Sequence, residues 1–264
     1  MDHRRNYFRT AYLRCHDLRR LIETYRMKHV VAVSGGKDST AMALRLAEIE
    51  PRPYIYVCTP TGDEPPEMIE HWLKLGELLG TKILPIMVST LDREIEKQNH
   101  IPGFRQRWCT RILKIEPFAG YLHSVAPAIS YVGIRFDEPQ REAGDYTRPD
   151  EVEMDFPLRR WRWTLHDVRS YLAKRHVEIP RRTDCMKCFF QRLDEWYRLW
   201  RDRPEVWAKA VEHETRTGQT FRTQGKDDWP TSLADLGREF ERGRIPRRAH
   251  HDSLAELQCR VCKL

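Results

Sequence analysis

Four short apolar runs, Val30–Val33, Tyr54–Cys58, Ile83–Val88 and Ile129–Ile134, punctuate the first half of the chain. They are rich in β-branched residues and bounded by turn formers, the pattern of strands buried on both faces of a parallel sheet. Between them the hydrophobic period becomes helical. Met42, Leu46 and Ile49 recur at i, i+4 and i+7, and Met68, Trp72, Leu75 and Leu79 continue the pattern until Gly80 stops it. Strand alternating with helix predicts an α/β fold, a doubly wound and mostly parallel sheet. Ligands of such sheets sit beyond the carboxyl ends of the strands.

The flanks read differently. Residues from about Arg4 to Met27 predict a basic amphipathic helix: Tyr7, Ala11, Leu18, Ile22 and Tyr25 form an apolar stripe ringed by Arg5, Arg9, Arg19, Arg20 and Arg26. Thr164-Leu-His-Asp167 looks like a helix start, with Leu165, Val168 and Leu172 on the inner face. Beyond Pro180 the chain reads as helical and arginine-rich. Trp196, Trp200 and Trp207 fall there at helical spacings, which suits a core better than a base-stacking surface. There is no internal repeat.

Composition narrows the picture. The formal charge of +7 favours polyanionic partners such as nucleotides, tRNA or DNA, although a solvated arginine surface explains it equally well. No apolar run is long enough to span a bilayer, and the N-terminus lacks the apolar stretch of a secretory signal, so a cytoplasmic protein without membrane partners is expected. Seven cysteines in such a chain argue for metal or redox chemistry rather than a disulfide framework. Cys15 and Cys58 have apolar neighbours and read as buried small residues.

The first run ends at Ser34-Gly35-Gly36-Lys37-Asp38-Ser39. Glycines let a backbone turn and approach an anion closely, and a helix N-terminus offers unpaired N–H groups. The serines add hydroxyls, Lys37 adds charge, and Asp38 is placed to hold magnesium or orient the loop. These residues predict a phosphate cradle. It is not a Walker A loop, because Val31 stands where that motif needs glycine and Asp38 where it needs Ser or Thr. Asp63 and Glu67, just past the second run, suit a site or a helix cap equally.

The loop matches S-G-G-x-D-S, the PP-loop of the ATP pyrophosphatases. Further segments follow in the order of one branch: Thr59-Pro-Thr-Gly-Asp-Glu-Pro-Pro-Glu-Met68, Arg107 to Pro117, Val132-Gly-Ile-Arg-Phe-Asp-Glu-Pro-Gln-Arg141, and Phe156 to Leu172. The chain therefore resembles the PAPS reductase-like proteins of the adenine nucleotide α-hydrolase superfamily. The resemblance implies a nucleotide-binding domain over residues 29–180; the basic helix (1–28) and the tail beyond Thr217 of the helical, cysteine-bearing region (181–264) lie outside the resemblance. It implies ATP with Mg2+ at Ser34, Gly35, Gly36, Lys37, Asp38, Ser39, Thr61, Gly62, Gly133, Arg135 and Arg141. Lys37, Asp38, Cys109 and Arg135 would be catalytic.

Two C-x-x-C pairs, Cys185/Cys188 and Cys259/Cys262, offer four thiolates to a metal. In iron–sulfur members of the family a cysteine near Cys109 joins a downstream C-x-x-C around a [4Fe-4S] cluster. That resemblance makes Cys109, Cys185, Cys188, Cys259 and Cys262 the candidate ligands, with zinc as the alternative. The implied function is ATP-dependent adenylation of a substrate, or sulfur transfer to it. A sulfonucleotide reductase is the second reading. Against it, the Lys37-Asp38 pair is intact, and the chain ends in Leu-Gln-Cys-Arg-Val-Cys-Lys-Leu264 where true reductases carry Glu-Cys-Gly-x-His. A non-catalytic nucleotide-sensing or nucleic-acid-binding module is the third. A homo-oligomer is compatible with all three.

Overall fold

The computed structural model describes residues 27–141, 151–223 and 227–247. The predicted N-terminal helix, Cys15, Cys259 and Cys262 lie outside them.

Five parallel strands form one sheet: β1 (Lys28–Ala32), β2 (Tyr54–Cys58), β3 (Leu84–Pro85), β4 (Ala128–Tyr131) and β5 (Val152–Asp155), in the order β3-β2-β1-β4-β5. Register is set by pairs such as Val30 with Ile55 on one side and Val30 with Ser130 on the other. Because β1 is central, alternate residues enter two different cores. Val31 joins Tyr54, Tyr56 and Tyr131 beneath helices α1 (Lys37–Ile49), α2 (Pro66–Leu78) and α7 (Leu165–Lys174). Val30 faces the other way with Val57, Ala128 and Val152, under α5 (Glu116–Val125), the helix that carries Leu122. Helices cover both faces, so the sheet is doubly wound, as the apolar runs predicted. Full burial of side chains such as Met42 or Leu46 contributes about 1.5–3 kcal/mol each.

The boundaries differ from the sequence reading in instructive ways. The third apolar run shrinks to two paired residues, since Pro85 has no N–H to donate, and Met87 and Val88 end up exposed. Ile49, placed by periodicity on the inner face of α1, is exposed in its last turn. Strand β5 was not foreseen. Its Val-Glu-Met-Asp alternation is weak, as suits a sheet edge.

A third core is aromatic. It gathers α8 (Leu193–Asp202), α9 (Pro204–Thr217) and α10 (Leu233–Glu241) around Trp196, Trp207, Phe221 and Phe240. Leu91 and Ile95 of α3 (Leu91–Gln98) enter it too, as do Trp108 of the turn α4 (Trp108–Thr110) and Leu113 of the π-helical turn Arg111–Ile115 that follows. A short helix, α6 (Pro157–Arg160), links β5 to α7, where Thr164 and Asp167 form the capping box that the sequence suggested.

Candidate nucleotide site at the carboxyl edge of the sheet

Past β1 the chain crosses the carboxyl edge of the sheet, with Val33 N donating to Val57 O at 2.7 Å. Gly35 has φ +80°, and a Cβ on it would lie 2.5 Å from Met68 Sδ and 2.7 Å from Trp72 Nε1. Only glycine fits that turn. Gly36 is the N-cap of α1 in extended conformation with no side-chain cap bond, so the helix start keeps donors and a positive dipole end for an anion. Ser34 and Ser39 hydroxyls meet at 3.0 Å, and Ser39 Oγ donates to Gly36 O at 3.1 Å, which staples the loop.

Asp38 is the centre of the charge arrangement. Lys37 Nζ lies 3.4 Å from Asp38 Oδ2, and Arg135 Nη1 donates to the same oxygen at 2.9 Å. Asp38 Oδ1 is buried and has no hydrogen-bond partner. The Arg135 guanidinium also reaches Asp137 Oδ1 at 2.8 Å and Glu138 Oε1 at 3.3 Å. Burial works against its charge, yet these carboxylates, Asp38 foremost, hold its pKa above that of an ordinary arginine. Gly133 sits below, where a Cβ would come within 3.1 Å of Ser39 N. Arg141 donates to Glu138 Oε2 at 3.2 Å, and Arg159 donates to the carbonyls of Glu138 and Arg141. The loop from Gly133 to Arg141 is thereby fixed against α1.

Ser34 to Ser39, Gly133 and Arg135 thus come together as the sequence grouped them, and Arg141 reaches them through Glu138. Thr61 and Gly62 stand differently. Glu64 accepts from Thr61 N, Thr61 Oγ1 and Gly62 N at 2.7, 2.8 and 3.0 Å, closing that loop upon itself. Thr61 is buried, and its Oγ1 lies 3.1 Å from Cys185 Sγ.

Cys185 and Cys188 share a tight turn, with Cys188 N donating to Cys185 O at 3.2 Å. Burial pushes the Cys185 thiol up to about 11 and Cys188 higher still, and it raises Cys109 as well. Lys114 opposes the rise at both Cys109 and Cys185, so one ammonium serves two thiols. Among the described residues no group of three or more His, Cys, Asp or Glu side chains is placed to hold a metal ion. Cys259 and Cys262, the remaining candidate ligands, lie outside the described residues.

The charge network behind this turn has no signature in the sequence. Lys187, between the two cysteines, is almost fully buried. Its ammonium bonds Asp63 Oδ1, and its backbone N–H donates to Asp63 Oδ2 at 2.7 Å. Asp92 Oδ1 lies 3.2 Å from the same ammonium and 2.7 Å from Nε2 of the buried His213. Burial disfavours the lysine charge, but Asp63 and then Asp92 outweigh it and raise its pKa. Asp63 is therefore neither a helix cap nor open to a ligand. Glu67 instead pairs on the surface with Arg203 at 2.9 Å.

The sequence profile of the phosphoadenosine phosphosulfate reductase domain matches residues 28–181, more than half of the chain. The chain belongs to that family. Its PAPS reductase domain starts at β1 and ends just before the Cys185–Cys188 turn. The chain is 22% identical over 196 residues to an uncharacterized protein of Methanocaldococcus jannaschii, a match covering 68% of this chain and 40% of the relative. It thus spans well under half of that relative's length. Among solved structures, the phosphoadenylyl-sulfate (PAPS) reductase of Candida auris, in a phosphate complex, superimposes with a TM-score of 0.47 and 14% identity, over 61% of this chain and 79% of that one. No helix among the described residues is long and apolar enough to cross a membrane.

Proposed function

We propose that the chain is a PP-loop ATP pyrophosphatase that activates an acceptor for adenylation or sulfur transfer. The observation that supports this reading is the state of Asp38. One carboxylate oxygen is held by Arg135, and the other is buried without a donor beside an uncapped helix N-terminus. A buried polar atom left unsatisfied costs about 1–3 kcal/mol, which a bound partner would relieve. Mg2+ carried with ATP would supply a positive charge there and draw electrons from the phosphates. The α1 donors and Lys37 would hold the β- and γ-phosphates. An acceptor nucleophile would attack the α-phosphorus, the bond to the bridging oxygen would break, and pyrophosphate would leave. Arg135, kept charged by its carboxylates, would stabilise the negative charge developing on the leaving group.

A sulfonucleotide has no pyrophosphate for Lys37 and Asp38 to grip, which disfavours the reductase reading. Calorimetry on purified protein tests the assignment. ATP with Mg2+ should bind, and Lys37→Ala or Asp38→Ala should weaken it. Tight PAPS binding with no measurable ATP binding would reverse it. Iron or zinc content after anaerobic purification, with Cys185→Ser as control, tests the ligand set separately.

A further inference from the structure

Residues 97–115 include Lys97, Arg105, Arg107, Arg111 and Lys114 and not a single Asp or Glu. Within this stretch Gly103 N donates to Gln106 O at 3.2 Å, and Gln106 N donates back to Gly103 O at 3.1 Å. The closed turn carries Phe104 and Arg105 at its tip. Phe104 is 60% exposed, a large apolar side chain held out in water by a turn that does not need it. Phe190 meets it edge to face, with centroids 6.1 Å apart and an interplanar angle of 82°. The ring of buried Phe189 packs against Phe190, with centroids 4.3 Å apart. The Arg107 guanidinium stands 5.4 Å from the Phe190 ring. Arg111 is matched by Glu116 at 2.7 Å, whereas exposed Arg105 pairs with no carboxylate among the described residues.

We propose that Phe104 and Phe190, with Arg105 and Arg107, form a platform on which an unpaired nucleotide of an RNA or DNA acceptor stacks. The exposed Phe104 ring offers a π-face to any base, Phe190 braces it edge to face, and the guanidinium groups offer charge to the flanking phosphates. An acidic peptide would use the charge but not the rings. The placement suits an acceptor. Phe190 follows the Cys185–Cys188 turn, whose Cys185 touches Thr61 in the loop after β2, so the platform is tied to a loop at the carboxyl edge of the sheet, the edge from which the PP-loop also leaves. The acceptor role rests on the reading of that loop as an ATP site.

Fluorescence anisotropy with short labelled single strands, RNA and DNA, and with a duplex of the same sequence, tests the platform on the full chain. Either single strand should bind more tightly than the duplex. Phe104→Ala should weaken single-strand binding about tenfold or more, Phe104→Leu nearly as much, and Phe104→Trp should restore it. Arg105→Gln should flatten the salt slope by about 0.7. Equal binding by wild type and Phe104→Ala, or preference for the duplex, would overturn the proposal. ATP calorimetry on the same preparations separates the two readings. ATP binding without Phe104-dependent strand binding sinks the platform alone. Strand binding that depends on Phe104 without ATP binding keeps the platform and sinks the nucleotide site.

Discussion

At the first turn of α1 the helix has no side-chain cap and Asp38 keeps one buried oxygen without a donor, whereas at the Cys185–Cys188 turn the buried Lys187 is matched by Asp63 and Asp92. Both segments lie along the carboxyl edge of one sheet. The glycine loop leaves its donors and charge for something that arrives from outside, so its residues should matter more for binding than for folding. The cysteine turn spends its charges internally, tying β2's loop to α3 and α9. Substitutions there should act first on stability.

The largest expected effect is at the turn. Lys187→Met leaves the buried Asp63 without its cation and beside the half-buried Asp92, and removing one partner of a buried pair costs about 3–5 kcal/mol. Urea denaturation should show that loss in midpoint. A change under about 1 kcal/mol would mean that water reaches the network. Next comes Asp38→Ala, expected to weaken ATP binding by about 10- to 100-fold, or roughly 1.4–2.7 kcal/mol, while unfolding stays within about 1 kcal/mol of wild type. Arg135 keeps Asp137 and Glu138 in that variant, so its charge is not stranded. Parallel losses of binding and stability would erase the contrast.

Gly35→Ala should destabilise by about 1–3 kcal/mol through its left-handed φ and the clash with Met68. The glycine loop would then prove structural at that one position. The smallest effect is a pH dependence at the far end of α1. Hydrogen bonds from Arg160 hold the Glu50 carboxyl below its ordinary pKa, with Trp161 assisting. A depressed carboxylate contributes stability above its unfolded pKa and loses it as pH falls through the folded one. Glu50→Gln should therefore cost about 0.5–1 kcal/mol at pH 7, and the difference from wild type should close as pH falls through the lowered folded value. A difference unchanged by acid would put the role of Glu50 in packing.

Contrasts of this kind decide what a sequence can disclose. Strands β1, β2 and β4 were legible because continuous burial leaves a continuous apolar run. The glycine loop was legible because backbone geometry restricts residue choice at adjacent positions. Thr164 and Asp167 announced a cap for the same local reason. Lys187 was not legible, since its partners sit 124 and 95 residues away and a lysine between two cysteines carries no periodic mark. The closed state of Thr61 was hidden too, because Glu64 offers a carboxylate that the chain could equally have turned outward. Spacing places Trp196, Trp200 and Trp207 in a core; Trp196 and Trp207 are buried, and Trp200 packs partly buried against the same core. That their neighbours include Leu91 and Leu113 required the tertiary structure.

The central position of β1 also sets an order of assembly during synthesis. Its partner β2 emerges from the ribosome soon after it, but β4 and Arg135 follow only when about a hundred residues have been added, Asp38 and Arg135 being 97 positions apart. A nascent chain that has passed Ser39 carries the glycine loop but not the guanidinium that holds Asp38. The aromatic core waits longer, since Ile95 and Trp108 find Trp196 and Phe240 only once those later residues have been made. Until then those apolar side chains are available to chaperones, and translation pausing between residues 113 and 196 would prolong that window.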